Sequence, residues 1–201
     1  MIIYMSDIIC VTNRKLCTVP FLSQIENIAK AGPKAIILRE KDMEEEEYYN
    51  IAKEVKEICE KYDVELIIHS FYNVALKLGI GSLHMPLGLL ESISTDDKKK
   101  FTNIGASCHS KKDAVKAYSL GCTYIIAGHI FETDCKKGLP GRGISFLKNV
   151  SSIVDIPVYA IGGISNDNYS EVIGAGAAGA CIMSSAMTAV EPKKLFDEFI
   201  S

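Results

Sequence analysis

The feature that most constrains the fold is a series of eight short apolar runs, rich in β-branched residues, whose starts are on average about 25 residues apart. They are DIICVT (7–12), AIILRE (35–40), VELIIHS (64–70), GSLHMP (81–86), IGASCH (104–109), YIIAGHI (124–130), PVYAIGG (157–163) and GACIMSS (179–185). Nearly continuous apolar runs bounded by Gly, Asp or Pro are typical of parallel strands buried on both faces. We therefore predict eight buried strands.

Helical patterns lie between these runs, at 44–62, 110–120, 165–175 and 191–200. Ser110 and Ser165 are suitable N-cap residues, and Gly121 and Gly176 follow the corresponding helix ends. Eight strands, each followed by a helix or helical turn, predict an α/β protein: a (β/α)8 TIM barrel forming a single domain over residues 1–201. A doubly wound sheet is the alternative, but no G-x-G-x-x-G follows the first strand.

Composition excludes several classes of function. A net charge of -3, with residues 98–100 (KKK) as the only basic triplet, argues against nucleic-acid binding. No apolar run reaches the roughly 18 residues of a membrane span. The N-terminal MIIYMSDIIC lacks a signal-peptide pattern, and seven cysteines without paired spacing favour reduced thiols, so we expect a cytoplasmic protein. Four widely spaced histidines and no CxxC motif predict no metal site.

Polar residues cluster where the predicted strands end, which is where active sites of barrels lie. All four histidines, His69, His84, His109 and His129, fall at such ends. His129 is the sharpest candidate, because Gly128 before it leaves room for a ligand and a histidine can act as acid or base near pH 7. The alternative for His129 is a satisfied core histidine.

The last two strands carry a candidate phosphate site. AIGGISNDN places Gly162 and Gly163 before a helix, where backbone N–H groups are available to an anion. Ser184 and Ser185 add hydroxyl groups after the eighth strand. Loops after strands seven and eight often bind phosphate in this fold, although the glycines alone are also compatible with a tight turn.

Two cations follow the second strand. Arg39 and Lys41 require an anion to offset their desolvation at a barrel mouth. Either the neighbouring Glu40 or a substrate carboxylate or phosphate meets that requirement, and the sequence leaves both open. Ser107, after the fifth strand, is a small hydrogen-bonding residue that is uninformative by itself.

Residues 35 to 190 resemble the thiamin phosphate synthase/TenI superfamily in LREKD (38–42), IGASCHS (104–110), IPVYAIGGIS (156–165) and the glycine-rich eighth strand. Two branches of this superfamily share the barrel. The synthase joins hydroxymethylpyrimidine diphosphate to thiazole phosphate with magnesium, whereas the TenI branch includes thiazole tautomerases. Synthases typically have Asn-Asp after strand three and a Gln and an acidic residue after strand four. Here His69-Ser70 and Pro86-Leu87 occupy those places.

The segment GHIFETDCKKGLPGRG (128–143) closely resembles the tautomerase branch, where synthases generally have Gly-Pro instead of Gly128-His129. The expected function is therefore a cofactor-free isomerase, a thiazole tautomerase of thiamin biosynthesis. It would aromatise 2-(2-carboxy-4-methylthiazol-5(2H)-ylidene)ethyl phosphate. There are two alternatives. One is the magnesium-dependent synthase, which is a transferase, and the other is a non-catalytic TenI-type regulator. Barrels of this superfamily often dimerise, so a homodimer is expected, with a small thiazole phosphate as the substrate.

The resemblance also implies residue roles. His129 would be the catalytic acid and base, and Thr133 would contact substrate from the loop after strand six. Gly162, Gly163, Ser184 and Ser185 would bind phosphate. Arg39 and Lys41 correspond to cations beside the pyrimidine diphosphate in synthases, and in a tautomerase they would hold the substrate carboxylate. Ser107 completes the expected substrate contacts, and no metal ligand or cofactor is expected.

Overall fold

The structure is a computed structural model that describes residues 7–199. Its strands are β1 (Ile8–Val11), β2 (Ala35–Leu38), β3 (Glu65–His69), β4 (Ser82–Pro86), β5 (Asn103–Cys108), β6 (Tyr124–Gly128), β7 (Val158–Ile161) and β8 (Gly179–Ile182). Its helices are α1 (Phe21–Lys30), α2 (Glu45–Lys61), α3 (Tyr72–Leu78), α4 (Leu87–Ser92), α5 (Thr95–Lys98), α6 (Lys111–Ser119), α7 (Gly143–Ser151), α8 (Asn166–Gly174), α9 (Ser184–Thr188) and α10 (Pro192–Glu198). Short 3-10 helices cover Arg14–Leu16 and Asp134–Lys136.

The strands follow one another in chain order around a closed barrel, β1 to β8. Neighbouring strands run parallel, with Ile36 of β2 opposite Leu66 of β3 and Ser107 of β5 opposite Ile126 of β6. All residues of β1, β2, β6 and β8 are buried, as continuous apolar runs require. The predicted (β/α)8 barrel is confirmed.

Contacts within the chain define two compact units. One holds the described residues up to Leu83 together with those from Ile182 onward, and the other runs from His84 to Cys181. We refer to them as unit 1 and unit 2. The single-domain organisation over residues 1–201 stays a prediction.

In unit 1, helix α2 secures the carboxyl ends of two strands. Its first turn carries Glu45, Glu46 and Glu47, which complement the positive end of the helix dipole. Its buried face includes Tyr48, whose hydroxyl donates to the Leu38 carbonyl at 2.5 Å and accepts from the His69 backbone N–H at 3.3 Å. One tyrosine therefore satisfies polar backbone groups of both β2 and β3.

In unit 2, the interior of the barrel wall is shaped by a glycine. A Cβ atom on Gly105 of β5 would lie 2.1 Å from Cζ of Tyr124, so the tyrosine ring occupies the space above this residue. The Tyr124 ring also meets the edge of Tyr159 at a centroid distance of 6.0 Å. Gly105 is therefore required by packing, because any larger residue would displace a buried aromatic ring.

Several strands end earlier than their apolar runs suggest. Strand β2 ends at Leu38 and β6 at Gly128, so Arg39 and His129 lie just beyond the sheet. Strand β7 ends at Ile161 because Gly162 adopts a φ of 103°, which is outside the β region. These boundaries move the polar candidates from the strands into the loops.

The other predictions from composition have mixed outcomes. All seven cysteines are free thiols, and five of them are buried. Within residues 7–199, no helix has the length and apolar character needed to cross a bilayer. The signal-peptide prediction rests on residues 1–10, of which 1–6 lie outside the described residues. The last predicted helix extends to residue 200, which also lies outside them.

We predict that Gly105→Ala destabilises the barrel by about 1–3 kcal/mol, because the added methyl group collides with the buried Tyr124 ring. Gly88→Ala is the matched control, since a Cβ there meets no atom within 4 Å and Gly88 lies in helix α4. The control should be neutral or stabilising by up to about 1 kcal/mol. Urea unfolding measures both changes, and equal stabilities of the two variants would contradict the packing argument.

Candidate active site

The carboxyl end of β2 presents Arg39, Glu40 and Lys41. Glu40 is only 3% exposed, whereas Arg39 is half-buried and Lys41 is exposed. The Glu40 carboxylate accepts hydrogen bonds from the Thr12 hydroxyl at 2.7 Å, and from Arg14 through its backbone N–H at 3.0 Å and Nη1 at 3.1 Å. Glu40 thus has a cationic partner in Arg14, a residue that sequence reasoning did not single out.

The same arginine fixes the next carboxylate along the loop. Arg14 donates from Nη1 and Nη2 to the two oxygens of Asp42 at 2.7 and 3.1 Å, and Lys15 lies 2.7 Å from the same carboxylate. These hydrogen bonds, led by that of Arg14, hold the pKa of Asp42 well below its usual range. The Arg39 backbone N–H donates to Thr12 at 2.9 Å. The loop after β1 therefore holds the backbone from Arg39 to Asp42.

His69, at the end of β3, is a buried and uncharged histidine. Burial, the largest cause, and the positive charges of Arg39 and Lys41 together lower its pKa to about 3. Its Nδ1 atom lies 2.8 Å from the hydroxyl oxygen of Ser70, a residue held at a φ of 68°. Where synthases typically carry Asn-Asp, this chain therefore has a neutral imidazole paired with a hydroxyl.

The predicted phosphate contacts of unit 1 follow β8. Ser184 and Ser185 open helix α9 and are both exposed. The Ser184 carbonyl accepts from the Thr188 hydroxyl at 2.9 Å. Exposure leaves both positions accessible to a ligand.

In unit 2, two side chains converge on one carbonyl at the end of β6. His109 Nδ1 lies 2.8 Å and Arg142 Nε 3.0 Å from the Gly128 oxygen. A carbonyl only accepts hydrogen bonds, so Nδ1 of His109 carries its hydrogen and Nε2 is the acceptor of the neutral ring. His109 and Arg142 therefore act together as supports of the β6 end.

His129 follows directly, after a cis peptide bond between Gly128 and His129. Its Nε2 atom lies 3.3 Å from the Leu139 carbonyl. Nε2 therefore carries the hydrogen, and Nδ1 is the nitrogen left to accept from a ligand. The side chain is partly exposed, so the ring lies between the barrel end and the loop that covers it.

That loop, residues 129–143, is called the β6 loop here. Its two ends are joined by backbone hydrogen bonds of 2.9 Å from Arg142 to His129 and from Gly143 to Ile130. Thr133 precedes the short 3-10 helix of the loop. A cleft of about 680 Å³ is lined by Glu132, Thr133, Asp134, Lys136, Lys137, Gly138, Leu139 and Pro140.

Gly162 and Gly163 pack closely against the β6 loop. A Cβ on Gly162 would lie 2.3 Å from the Cβ of His129, and one on Gly163 would lie 2.4 Å from the Glu132 oxygen. The Phe131 N–H also donates to the Gly162 carbonyl at 3.0 Å. The sequence suggested that these glycines leave room for a ligand. The structure adds that they also allow the β6 loop to pass close to the backbone after β7. Their role in binding phosphate stays a prediction.

Helix α8 begins just after these glycines. Ser165 is its N-cap, in a reciprocal capping box with Asn168, which also donates to the Gly163 carbonyl at 2.9 Å. Capping residues thereby satisfy backbone groups at the start of the helix.

Ser107, the remaining predicted contact, lies on β5 and is bonded to His84. The Ser107 hydroxyl oxygen lies 2.9 Å from His84 Nε2, and His84 Nδ1 lies 3.2 Å from the Tyr124 hydroxyl. Tyr124 was missed by sequence reasoning. Its signal was the glycine at 105, whose missing side chain leaves space for a ring on the neighbouring strand.

Its closed barrel places the chain among (β/α)8-barrel proteins, a class in which active sites lie at the carboxyl ends of the strands. More narrowly, the chain belongs to the thiamine monophosphate synthase family, whose profile matches residues 8–186.

Individual relatives support the same family. The chain is 34% identical to thiamine-phosphate synthase 2 of Streptococcus pneumoniae, over 89% of this chain and 86% of that protein. It is 36% identical to a thiamine-phosphate synthase of Methanobrevibacter smithii, over 91% and 88% of the two chains. A thiamine phosphate pyrophosphorylase structure from Pyrococcus furiosus superposes with a TM-score of 0.83, at 28% identity and covering 98% and 94%.

These relatives overturn the expected thiazole tautomerase, and with it the isomerase class. They are named as synthases, which are transferases and correspond to the alternative considered above. The physical reason for the error lies in the β6 loop. A Cβ on Gly141 would lie 2.5 Å from the Ile130 oxygen, and His129 contacts the Leu139 carbonyl. Much of the segment that suggested a tautomerase therefore serves to fold the loop, and this role does not specify a reaction.

We predict that His69 makes the protein less stable in mild acid. In the unfolded chain a histidine binds its proton near pH 6.5, whereas the native His69 pKa is about 3. The stability due to neutral His69 is complete above pH 7 and is lost as the pH falls from about 6.5 toward 3. The loss at pH 5 should be about 2 kcal/mol.

Urea unfolding at about pH 7.5 and pH 5 measures this loss, since the window spans the unfolded histidine pKa. His69→Gln, which cannot titrate, should lose about 2 kcal/mol less than the wild type between the two pH values. His109→Gln, at an exposed position, is the control and should keep the wild-type difference. A His69→Gln variant with an unchanged difference would refute the assignment.

Proposed function

We propose that this chain is a thiamin phosphate synthase, a transferase that joins hydroxymethylpyrimidine diphosphate to thiazole phosphate. The observation that carries the proposal is identity of 34–36% to thiamine-phosphate synthases over 86–88% of their length. Such matches cover 89–91% of this chain.

The proposed reaction forms one bond and breaks one. The thiazole nitrogen lone pair attacks the methylene carbon of the pyrimidine, and the bond from that carbon to the diphosphate oxygen breaks with its electrons. Diphosphate leaves, and the thiazole ring becomes a cation. No proton is transferred in this step, so the protein's task is to bind and orient two anions and to stabilise the charge that develops on the leaving group.

Arg39 and Lys41 are the proposed contacts of the diphosphate. The resemblance of LREKD to the superfamily supports this role, and so does the rigid loop that carries the two residues. Thr12 bonds the Arg39 backbone, and Glu40 between them is anchored to Arg14. A held backbone reduces the entropy lost when a cationic side chain is ordered on an anion.

Phosphate contacts are proposed separately for each unit. Gly162 and Gly163, which precede helix α8, offer backbone N–H groups. Ser184 and Ser185 offer exposed hydroxyls and the N–H groups that open α9. The glycine pair and the serine pair are each proposed to contact a phosphate group, independently of the other.

His129, Thr133 and Ser107 are proposed as binding residues. The acid–base role expected for His129 belonged to the isomerisation and is not needed in the condensation. Nδ1 of His129 is instead proposed to accept a hydrogen bond from the substrate. Thr133 would contact substrate from the cleft of the β6 loop, and Ser107 from β5.

The magnesium that the resemblance implies does not fit the residues present. Magnesium prefers carboxylate oxygens. The position after β3 holds neutral His69 paired with Ser70, and Pro86 and Leu87 at the end of β4 supply no side-chain oxygen. Among residues 7–199, no group of three His, Cys, Asp or Glu side chains is arranged to hold a metal. We therefore assign no step to a protein-held metal.

The remaining expectations concern partners and location. Family membership supports small phosphorylated substrates. The homodimer, the cytoplasmic location and the absence of nucleic-acid partners stay predictions. The non-catalytic regulator would be favoured over the synthase only if the protein bound thiamin phosphate tightly without any turnover.

We predict that the purified protein releases diphosphate and forms thiamin phosphate from the two substrates. Arg39→Ala should raise the KM for the pyrimidine diphosphate by about 10- to 100-fold, because a charge-assisted hydrogen bond is lost. Arg39→Lys should recover only part of this loss. Lys53→Ala, at an exposed position of helix α2, is the control and should behave as the wild type. Absence of thiamin phosphate in the wild-type assay would refute the proposed function.

We predict that the free protein has no divalent-cation site tighter than about 1 mM, because the positions after β3 and β4 lack carboxylates and Glu40 after β2 is already bonded to Thr12 and Arg14. Manganese titration followed by electron paramagnetic resonance measures the bound fraction without any substrate. A parallel titration with diphosphate present separates metal carried by the anion from metal held by the protein. Stoichiometric binding to the free protein at micromolar manganese would contradict this prediction.

A further inference from the structure

His84 of β4 is a buried polar side chain to which the proposed reaction gives no role. It is 2% exposed, and both ring nitrogens face hydroxyl groups. Nδ1 lies 3.2 Å from the Tyr124 oxygen, and Nε2 lies 2.9 Å from the Ser107 oxygen. The three residues come from β4, β5 and β6 and form a continuous chain of hydrogen bonds, Tyr124–His84–Ser107.

The buried end of this hydrogen-bond chain, at Tyr124, is held in place by packing. Tyr124 is 7% exposed, its ring fills the space above Gly105, and it packs edge-on against Tyr159 with an interplanar angle of 83°. The His84 and Tyr124 ring centroids are 5.6 Å apart. A ring held on several sides keeps its hydroxyl at a fixed place, so His84 meets a fixed partner.

The other end of this hydrogen-bond chain, at Ser107, is accessible. Ser107 lies near the carboxyl end of β5 and is partly exposed. A serine hydroxyl has one hydrogen and two lone pairs, and its hydrogen rotates to suit its partners. Whether His84 Nε2 donates to Ser107 or accepts from it therefore decides whether Ser107 offers a hydrogen or a lone pair to a ligand.

The donor and acceptor roles in the Tyr124–His84–Ser107 hydrogen bonds follow from the acidity of the two hydroxyl groups. A tyrosine hydroxyl, with an ordinary pKa near 10, is a much stronger acid than a serine hydroxyl, and hence the better donor to an imidazole nitrogen. Tyr124 then donates to Nδ1 of His84. The neutral ring carries its single hydrogen on Nε2 and donates it to Ser107, which leaves the Ser107 hydrogen to point elsewhere.

We propose that His84 is a positioning residue that, held by Tyr124, donates to Ser107 and turns the serine hydroxyl into a hydrogen-bond donor toward substrate. The acceptors this suits are the phosphate oxygens and ring nitrogens of phosphorylated heterocycles. The inference rests on the proposed function for the identity of the substrate. The hydrogen-bond chain itself can be tested without it.

The first test is spectroscopic and independent of activity. Nitrogen-15 NMR of labelled histidine at about pH 8, where ordinary histidines are neutral, reports which ring nitrogen carries the hydrogen. We expect the Nε2–H form for His84 in the wild type, assigned through loss of the signal in His84→Gln. Tyr124→Phe removes the donor to Nδ1 and should shift the ring toward the other form. A wild-type ring with its hydrogen on Nδ1 would overturn the proposal.

The second test uses turnover. Ser107→Ala should lower kcat/KM by about 10-fold, as expected for one lost hydrogen bond to substrate. His84→Phe should have a similar effect, and the double variant should be no worse than Ser107→Ala alone, because His84 acts through Ser107. His84→Gln places an amide N–H near the former Nε2 and should recover at least a third of the wild-type value. Independent, multiplying losses in the double variant would refute the positioning role.

The two proposals fail in different ways. A wild-type protein that forms no thiamin phosphate contradicts the synthase function, while the NMR experiment still tests the chain. Should His84→Phe not fold, Tyr124→Phe provides the turnover test, since it keeps the ring and removes only the hydroxyl. Tyr124→Phe with unchanged kcat/KM and an unchanged His84 ring signal would overturn the proposal.

Discussion

Both the fold and the candidate site depend on hydrogen bonding between short, buried, parallel strands that close into a barrel. Strands of this kind leave no room for an unsatisfied polar group, because burying one without a partner costs on the order of 1–3 kcal/mol. A polar residue at the carboxyl end of such a strand must therefore find a partner. Glu40 finds Thr12 and Arg14, and His84 finds Tyr124 and Ser107. The same constraint that builds the core thus organises the candidate site.

The β6 loop shows why a segment match can mislead about function. Its sequence resembles the tautomerase branch, and the glycine pair after β7 suggested room for a ligand. In the structure, Gly141 and Gly163 are positions where one part of the chain passes close to another. A motif needed to fold a loop can be shared by enzymes of one superfamily that catalyse different reactions. Similarity over the whole barrel therefore outweighs one long loop when the reaction class is assigned.

Sequence reasoning located the strand ends well but not the partners of the residues there. His69 ends β3, and His109 and His129 follow β5 and β6 as expected, whereas His84 lies within β4. Their environments differ: His69 is buried and uncharged, His84 is bonded on both nitrogens, and His109 supports a backbone carbonyl. Residue spacing could not distinguish them, because their partners lie between 1 and 40 residues away along the chain. Arg14 was missed for the same reason, since its partner Glu40 lies 26 residues away, just after β2.

By itself, the sequence determined the repeating alternation of strands and helices, and hence the barrel, because apolar periodicity and capping residues act locally along the chain. It also determined which residue types stand at the carboxyl ends of the strands. Only the tertiary structure decided which of those residues are already engaged by the protein. Pairings such as Glu40 with Arg14, Tyr124 above Gly105, and Gly162 against His129 depend on strand register and loop closure. These are long-range contacts, and local patterns in a single sequence do not encode their partners.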